Sequence, residues 1–190
     1  MDIANQLGGI HVGTGDLSEL CLGFATYGGD HMSMYGVNAS IPKTLMQHMV
    51  VYAANLPEFA SVKDTLIDIV ETPISPELLP LKDGELIQKT EGIVGPYELH
   101  DFFLFYLLRY GYSPKKLHFL ACHAFRGTYA SDTIKVWLTL FLKRFFAQQF
   151  KRSCLPDGPA VGSVSISPRG GWMVPTDAQA AAWLDEAASI

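Results

Sequence analysis

The sequence predicts a mostly helical α/β chain with the larger part of its sheet outside it; the alternative is an all-α protein carrying a stray strand. Three observations lead there. Amphipathic stretches with starting caps and closing glycines recur along the chain. One apolar run bounded by glycines, GGIHVG, reads as a buried strand. That strand leads straight into a glycine turn and a helix start, and a strand so placed needs strand neighbours. The chain is therefore expected to be the later part of a larger α/β unit.

The elements follow in order. After Gly13-Thr14-Gly15, Asp16 and Glu19 form a D-x-x-E capping pattern ahead of LSELCLGFAT. Leu17, Leu20, Cys21 and Phe24 recur at helical spacing, and Gly28-Gly29 is expected to end that helix. GGDHMSMYGVNASIP has no clear period and reads as a loop. Pro42 suits a first helical position before KTLMQHMVVYAANL, and Ser61 can cap VKDTLIDIV. From Glu71 to Pro96, four prolines and an Asp83-Gly84 turn predict a long loop, of the length that serves function or a lid.

Three helices come next. Pro96 opens YELHDFFLFYLLRY and Gly111 closes it; Ser113-Pro114 opens KKLHFLACHAFR and Gly127 closes it. Ser131 caps DTIKVWLTLFLKRFFAQQF. CLPDGPAVGSVSISPRGGWMVP is irregular, with one weak strand near residue 163. Thr176 and Gln179 suggest a capping box for DAQAAAWLDEAAS.

Composition bounds the function. The 190 residues carry a net charge of −5 and are 48% hydrophobic. That is enough for one real core, and it argues against a general nucleic-acid or membrane-surface binder, which needs a basic excess. Three widely spaced cysteines read as free thiols of a reducing compartment, and no pair of ligand residues suggests zinc. No leader pattern opens the chain, and no apolar run reaches membrane-spanning length. A cytoplasmic protein is expected.

Two readings of GTGDLSEL stand side by side. In one, Asp16 and Glu19 are only a capping box. In the other, Gly13 and Gly15 bring backbone close to a ligand, and the helix start faces an anion. Glu19 would then hold Mg²⁺ beside a phosphate. From Ser131 to Ser153 there are five basic residues, Lys135, Lys143, Arg144, Lys151 and Arg152, against one acid, Asp132. This cluster suits an anionic ligand, or else reflects the preference of a helix C-terminus for Lys and Arg. The FFLFYLL stripe reads as core or subunit interface.

A resemblance adds to this. GTGDLSELCLGFATYGGDHMSMYGVNASIPKTL resembles the C-terminal part of glutamine-dependent NAD⁺ synthetases. So, in the same order, do SPELLP, GPYELHDFFLFYLLRYG, RFFAQQFKRSCLPDGP and SPRGGW, so that the resemblance spans essentially residues 1–190. It implies a partial doubly wound, Rossmann-like nucleotide-binding domain of the adenine nucleotide α-hydrolase, or ATP-pyrophosphatase, type. The implied reaction is ATP-dependent amidation of deamido-NAD⁺. ATP adenylates the nicotinate carboxylate, pyrophosphate leaves, and ammonia drawn from glutamine displaces AMP. Mg²⁺ accompanies the ATP.

The resemblance also implies residue roles. Thr14 and Lys43 would contact ATP, and Ser75 a phosphate or nearby backbone. Glu19 would serve the metal or the deamido-NAD⁺ site. Phe24, Ala25, Thr26, Tyr27 and Asp30 would line the deamido-NAD⁺ pocket, and Lys151 would reach the same ligand. A homo-oligomer is expected through the synthetase domain, with no nucleic-acid or membrane partner.

The departures are equally specific. The family's serine-glycine-glycine phosphate loop, a metal-binding aspartate and the glutaminase domain have no counterpart here and are expected upstream. Phe24 stands where many relatives carry tryptophan, Gly171 where an aspartate is usual, and Met173 near a usual arginine. The competing function is a truncated, non-catalytic fragment that binds nucleotide or assembles with synthetase subunits.

Overall fold

Two short strands frame the N-terminal part. The computed structural model describes residues 1–29, 31–72 and 95–190. Helix α1 (Asp2–Leu7) leads to β1 (Val12–Gly13), which pairs in parallel with β2 (Tyr35–Gly36). Parallel strands need a crossover, and α2 (Leu17–Leu22) lies within it. Of a doubly wound sheet, the described residues hold this two-stranded fragment.

The sequence placed the second strand near residue 163; the structure places it at Tyr35–Gly36, inside the stretch read as loop. A two-residue strand leaves no alternating pattern to detect. Helix α2 also ends earlier than the Gly28-Gly29 signal suggested. Gly23 stops it in the left-handed conformation, with φ 63°. A Cβ there would lie 2.2 Å from Cβ of Gln148, so conformation and contact both require glycine.

Helix α3 (Lys43–Ala54) starts one residue after Pro42, which takes the cap position. A 3₁₀ turn (Pro57–Val62) absorbs Ser61, so α4 (Lys63–Glu71) starts without a side-chain cap. Helix α5 (Tyr97–Tyr110) ends at Gly111 as expected. Helix α6 (Pro114–Ala124) ends at Phe125, before Gly127. Helix α7 (Ser131–Ala147) begins with Ser131 itself, whose hydroxyl meets the His118 ring instead of capping. A break at Gln148 separates α7 from the single turn α8 (Gln149–Arg152). Helix α9 (Ala181–Ala188) starts after the expected capping box, and Gln179 donates to the Asp177 carbonyl instead.

The core sits where α2, α5, α6, α7 and α9 meet. Helix α5 buries Leu99, Phe103, Leu104 and Leu107; α7 buries Ile134, Leu138, Phe141, Leu142 and Phe145. Each such side chain contributes about 1.5–3 kcal/mol by leaving water. Of the FFLFYLL stripe, read as core or subunit interface, Phe103, Leu104 and Leu107 are core, and Phe102, Phe105, Tyr106 and Leu108 are partly buried. Leu17, Leu20, Cys21 and Leu22 bring α2 into the same core, so the glycine turn before it is anchored from behind.

The opposite margin is different. Helix α1 buries nothing, and Ile3, Leu7 and Ile10 are exposed. Leu45, Met49, Val51 and Tyr52 of α3, Phe59 and Val62 of the 3₁₀ turn, and Ile69 of α4 are exposed too. Apolar faces of this extent mark surfaces that another polypeptide covers. The isolated chain is expected to self-associate in sedimentation velocity and to bind an apolar dye. A sharp thermal transition of a monomer that binds no dye would contradict this.

Candidate functional site

The N-terminal end of α2 is built around one cation. Asp16 is extended, and its Oδ1 accepts from the Glu19 amide at 2.9 Å. Glu19 Oε2 accepts in return from the Asp16 amide at 3.2 Å, completing the capping box. Lys43, the first residue of α3, places its Nζ 2.7 Å from Asp16 Oδ2 and 2.5 Å from Glu19 Oε1. Its ammonium also lies 5.7 Å from the centre of the Tyr97 ring. The Leu17 amide is taken by the Ile41 carbonyl at 3.0 Å. Thr14 is exposed at the turn, its carbonyl accepting from Asn38.

This arrangement revises two expectations. The amides of Leu17 and Glu19, two of the first donors of the helix, are already used, so they do not face an anion. Neither Gly13 nor Gly15 has a positive φ. Gly13 is small because a Cβ would lie 2.3 Å from Ser33 Oγ. A divalent cation does not fit the site as built either. The Lys43 ammonium holds the place between the two carboxylates, and like charges at that range repel strongly. Among the described residues, no group of three or more His, Cys, Asp and Glu side chains could hold a metal ion.

Asp101 of α5 locks this end in place. It accepts from the Ser18 hydroxyl, from the Thr44 amide at 3.0 Å and from the Thr44 hydroxyl at 2.7 Å. Ser18 Oγ in turn accepts from the Lys43 amide at 2.8 Å. Pro42 cannot cap α3, so Ser18 and Asp101 satisfy its first donors from two other helices. That fixes the first turn of α3, and with it Lys43. Sequence reasoning missed Asp101. Its one signal was an acid four residues after Tyr97 and three before Leu104, on the buried face of α5.

Burial, then the charge of Glu19, pushes the Asp16 carboxyl up to about 6, against the opposite pull of Lys43. Burial works against the charge of Lys43, but Asp16 and Glu19 outweigh it and raise its pKa. Between about 3.8 and about 6 the folded state holds the Asp16 proton and the unfolded state releases it. The stabilisation from this group is therefore present at low pH and lost as pH rises through about 6. Asp16→Asn keeps the cap and cannot ionise. Its stability relative to the parent is expected to rise across that window in urea unfolding at several pH values; a pH-independent difference would contradict the assignment.

At the other end of α2, three cations converge on carbonyls. Arg144 Nε donates to the Leu22 carbonyl at 3.0 Å. Lys151 Nζ donates to the Gly23 and Ala25 carbonyls at 2.8 and 2.7 Å. Arg152, 0% exposed, donates to the carbonyls of Cys21 at 2.7 Å and of Phe145, and to Gln149 Oε1. Arg144, Lys151 and Arg152 thus serve the C-terminus of α2, and Arg152 that of α7 as well. Lys135 is engaged elsewhere, on the carbonyls of Ala188 and Ile190.

The sequence-derived residues fall into two groups. Thr14, Glu19 and Lys43 gather at the start of α2; Phe24, Ala25, Thr26, Tyr27 and Lys151 gather past its end. Six helical residues separate the groups by roughly 9 Å. Phe24 lies under the Arg144 guanidinium, 5.6 Å from ring centre to charge. Tyr27 is exposed, 5.5 Å between ring centroids from both His31 and Phe150. Asp30 and Ser75 lie outside the described residues, as does most of the expected long loop.

A cleft opens beside the first group. Gly13, Gly15, His31 and Ser33 form one wall, and the segment Leu155–Ala160 faces them with Ser165 and Ser167. Sequence reasoning singled out no residue of that facing segment as a ligand contact.

With this geometry in place, comparison with known proteins locates the chain. No protein-family model matches it. It is 47% identical, over 97% of its length, to the glutamine-dependent NAD(+) synthetases of Mycobacterium bovis and Mycobacterium tuberculosis. The identity to that of Mycobacterium leprae is 45% over the same share. The chain spans 30% of the length of these relatives. Its fold matches a glutamine-dependent NAD(+) synthetase from Cytophaga hutchinsonii with a TM-score of 0.74, covering 98% of this chain and 27% of that one at 16% identity. Among the described residues, no helix is long and apolar enough to cross a membrane.

Proposed function

Since this chain is a homologue of part of the glutamine-dependent NAD(+) synthetases, we propose that it supplies the later part of such an enzyme's synthetase domain. The reaction is conversion of deamido-NAD⁺ to NAD⁺ with ATP and ammonia, the ammonia coming from glutamine. Identity of 45–47% over nearly the whole chain is the observation that carries this reading. In it, Thr14 and Lys43 face ATP, with Ser75 near a phosphate. Glu19 orients Lys43. Phe24 to Tyr27, Asp30 and Lys151 form the deamido-NAD⁺ side.

The geometry supports that division. The two groups lie at opposite ends of one buried helix, a separation suited to two parts of a nucleotide substrate pair. Tyr27 offers an exposed ring for stacking on a heteroaromatic base. The chain carries no serine-glycine-glycine phosphate loop, and Lys43 is neutralised by two carboxylates. Lys43 therefore reaches a phosphate only when part of that negative charge is offset by residues beyond this chain. The exposed faces of α1, α3 and α4 fit coverage by the rest of the enzyme or by a second subunit. Three free cysteines suit a cytoplasmic setting.

The test is reconstitution in trans. The chain alone is expected to form no NAD⁺ from deamido-NAD⁺, ATP and glutamine. Mixed with the preceding part of a mycobacterial relative, it is expected to restore turnover. Stable assembly without turnover would favour the non-catalytic reading.

A further inference from the structure

We propose that Cys154, paired with His31 beside the cleft, is an activated thiol that undergoes thiol–disulfide exchange with low-molecular-weight disulfides. Cys154 is exposed, and its Sγ lies 3.1 Å from His31 Nε2. The Gly28 amide also points at Nε2, at 3.4 Å, which makes that nitrogen an acceptor and puts the ring proton on Nδ1. His31 is 5% exposed and lines the cleft, and its Nδ1 is buried with no hydrogen-bond partner among the described residues. The imidazole is held as a base toward the sulfur, packed against the Tyr27 ring.

The other two cysteines set the contrast. Cys21 is 1% exposed, and burial pushes its thiol up to about 12. Cys122 is half-buried, and its nearest imidazole nitrogen, Nε2 of His118, lies at 3.6 Å. Cys154 joins exposure to a close base. Thiols that have a histidine base beside them are the reactive ones. The competing reading is that the thiol only donates to the Lys151 carbonyl, 3.3 Å away, as a helix-end contact.

The step balances as an exchange. His31 Nε2 takes the thiol proton, and the Cys154 thiolate attacks one sulfur of the disulfide. That S–S bond breaks as the new bond to Cys154 forms. The leaving thiolate takes the proton from the imidazolium. One thiol and one disulfide exist before and after, and the small disulfide is the oxidant. The group so attached adds bulk next to Leu155 and Pro156, which wall the cleft.

The probe is dithiodipyridine, whose released thione is followed by absorbance, with labelled peptides assigned by mass spectrometry. At neutral pH, Cys154 of the native chain is expected to react first, at least about tenfold faster than in the urea-unfolded chain. Cys154→Ser should abolish the fast phase. His31→Gln should slow it about tenfold, with circular dichroism confirming the fold. An unchanged rate in folded His31→Gln overturns the proposal. Should that variant not fold, native Cys154 reacting no faster than in the unfolded chain overturns it equally.

Discussion

Arg152→Met is expected to lower the unfolding free energy by about 1–3 kcal/mol for each buried acceptor it leaves unsatisfied. The guanidinium is fully buried and has no carboxylate within salt-bridge range among the described residues. Burial lowers its pKa, and neutral groups compensate the charge: backbone carbonyls, the Gln149 side-chain oxygen and the Phe145 ring face. Methionine replaces much of the volume but leaves the carbonyls of Cys21 and Phe145 without this donor. It also removes the tie between α8 and the end of α2. Arg152→Lys keeps the charge but cannot span the same acceptors from one planar fork, so it should recover little of the loss. Urea unfolding followed by circular dichroism measures both. A loss under about 1 kcal/mol for Arg152→Met would mean the network is not what holds α2 in place.

Asp101→Ala is the second large effect, expected to cost about 2–3 kcal/mol. It leaves the Thr44 amide and hydroxyl without their acceptor and releases Ser18, which holds the Lys43 amide. Burial raises the Asp101 pKa, and its bonds from Ser18 and Thr44 oppose that rise. Asp101→Asn retains one acceptor oxygen and should cost less than alanine. Equal losses for the two variants in urea unfolding would show that side-chain volume, not the cap on α3, is what matters.

Much of this architecture was legible in the sequence, and the exceptions have physical causes. The capping box could be read because Asp16 and Glu19 are three residues apart and bond to each other's backbone. Helices α5 and α7 could be read because each buries a stripe at helical spacing. Strand β2 could not, since two residues carry no period. The ion pair to Lys43 joins residues 24 and more apart, and only the resemblance singled out Lys43. The basic cluster was visible, but its partners were not. Those of Arg144 and Lys151, and one of Arg152's, are backbone carbonyls more than 120 residues away, and carbonyls leave no mark in a sequence. Arg152 is hidden for the same reason, and Asp101 shows only as one acid on an apolar face.

Whether this chain completes a working synthetase is read from a chimera. The corresponding segment of a mycobacterial glutamine-dependent NAD(+) synthetase would be replaced by this chain, and NAD⁺ formation from deamido-NAD⁺, ATP and glutamine measured. The account predicts turnover comparable to the parent enzyme, reduced at least about a hundredfold by Lys43→Met in a chimera that still folds. A folded chimera that forms no NAD⁺, or one in which Lys43→Met has no effect, would contradict it.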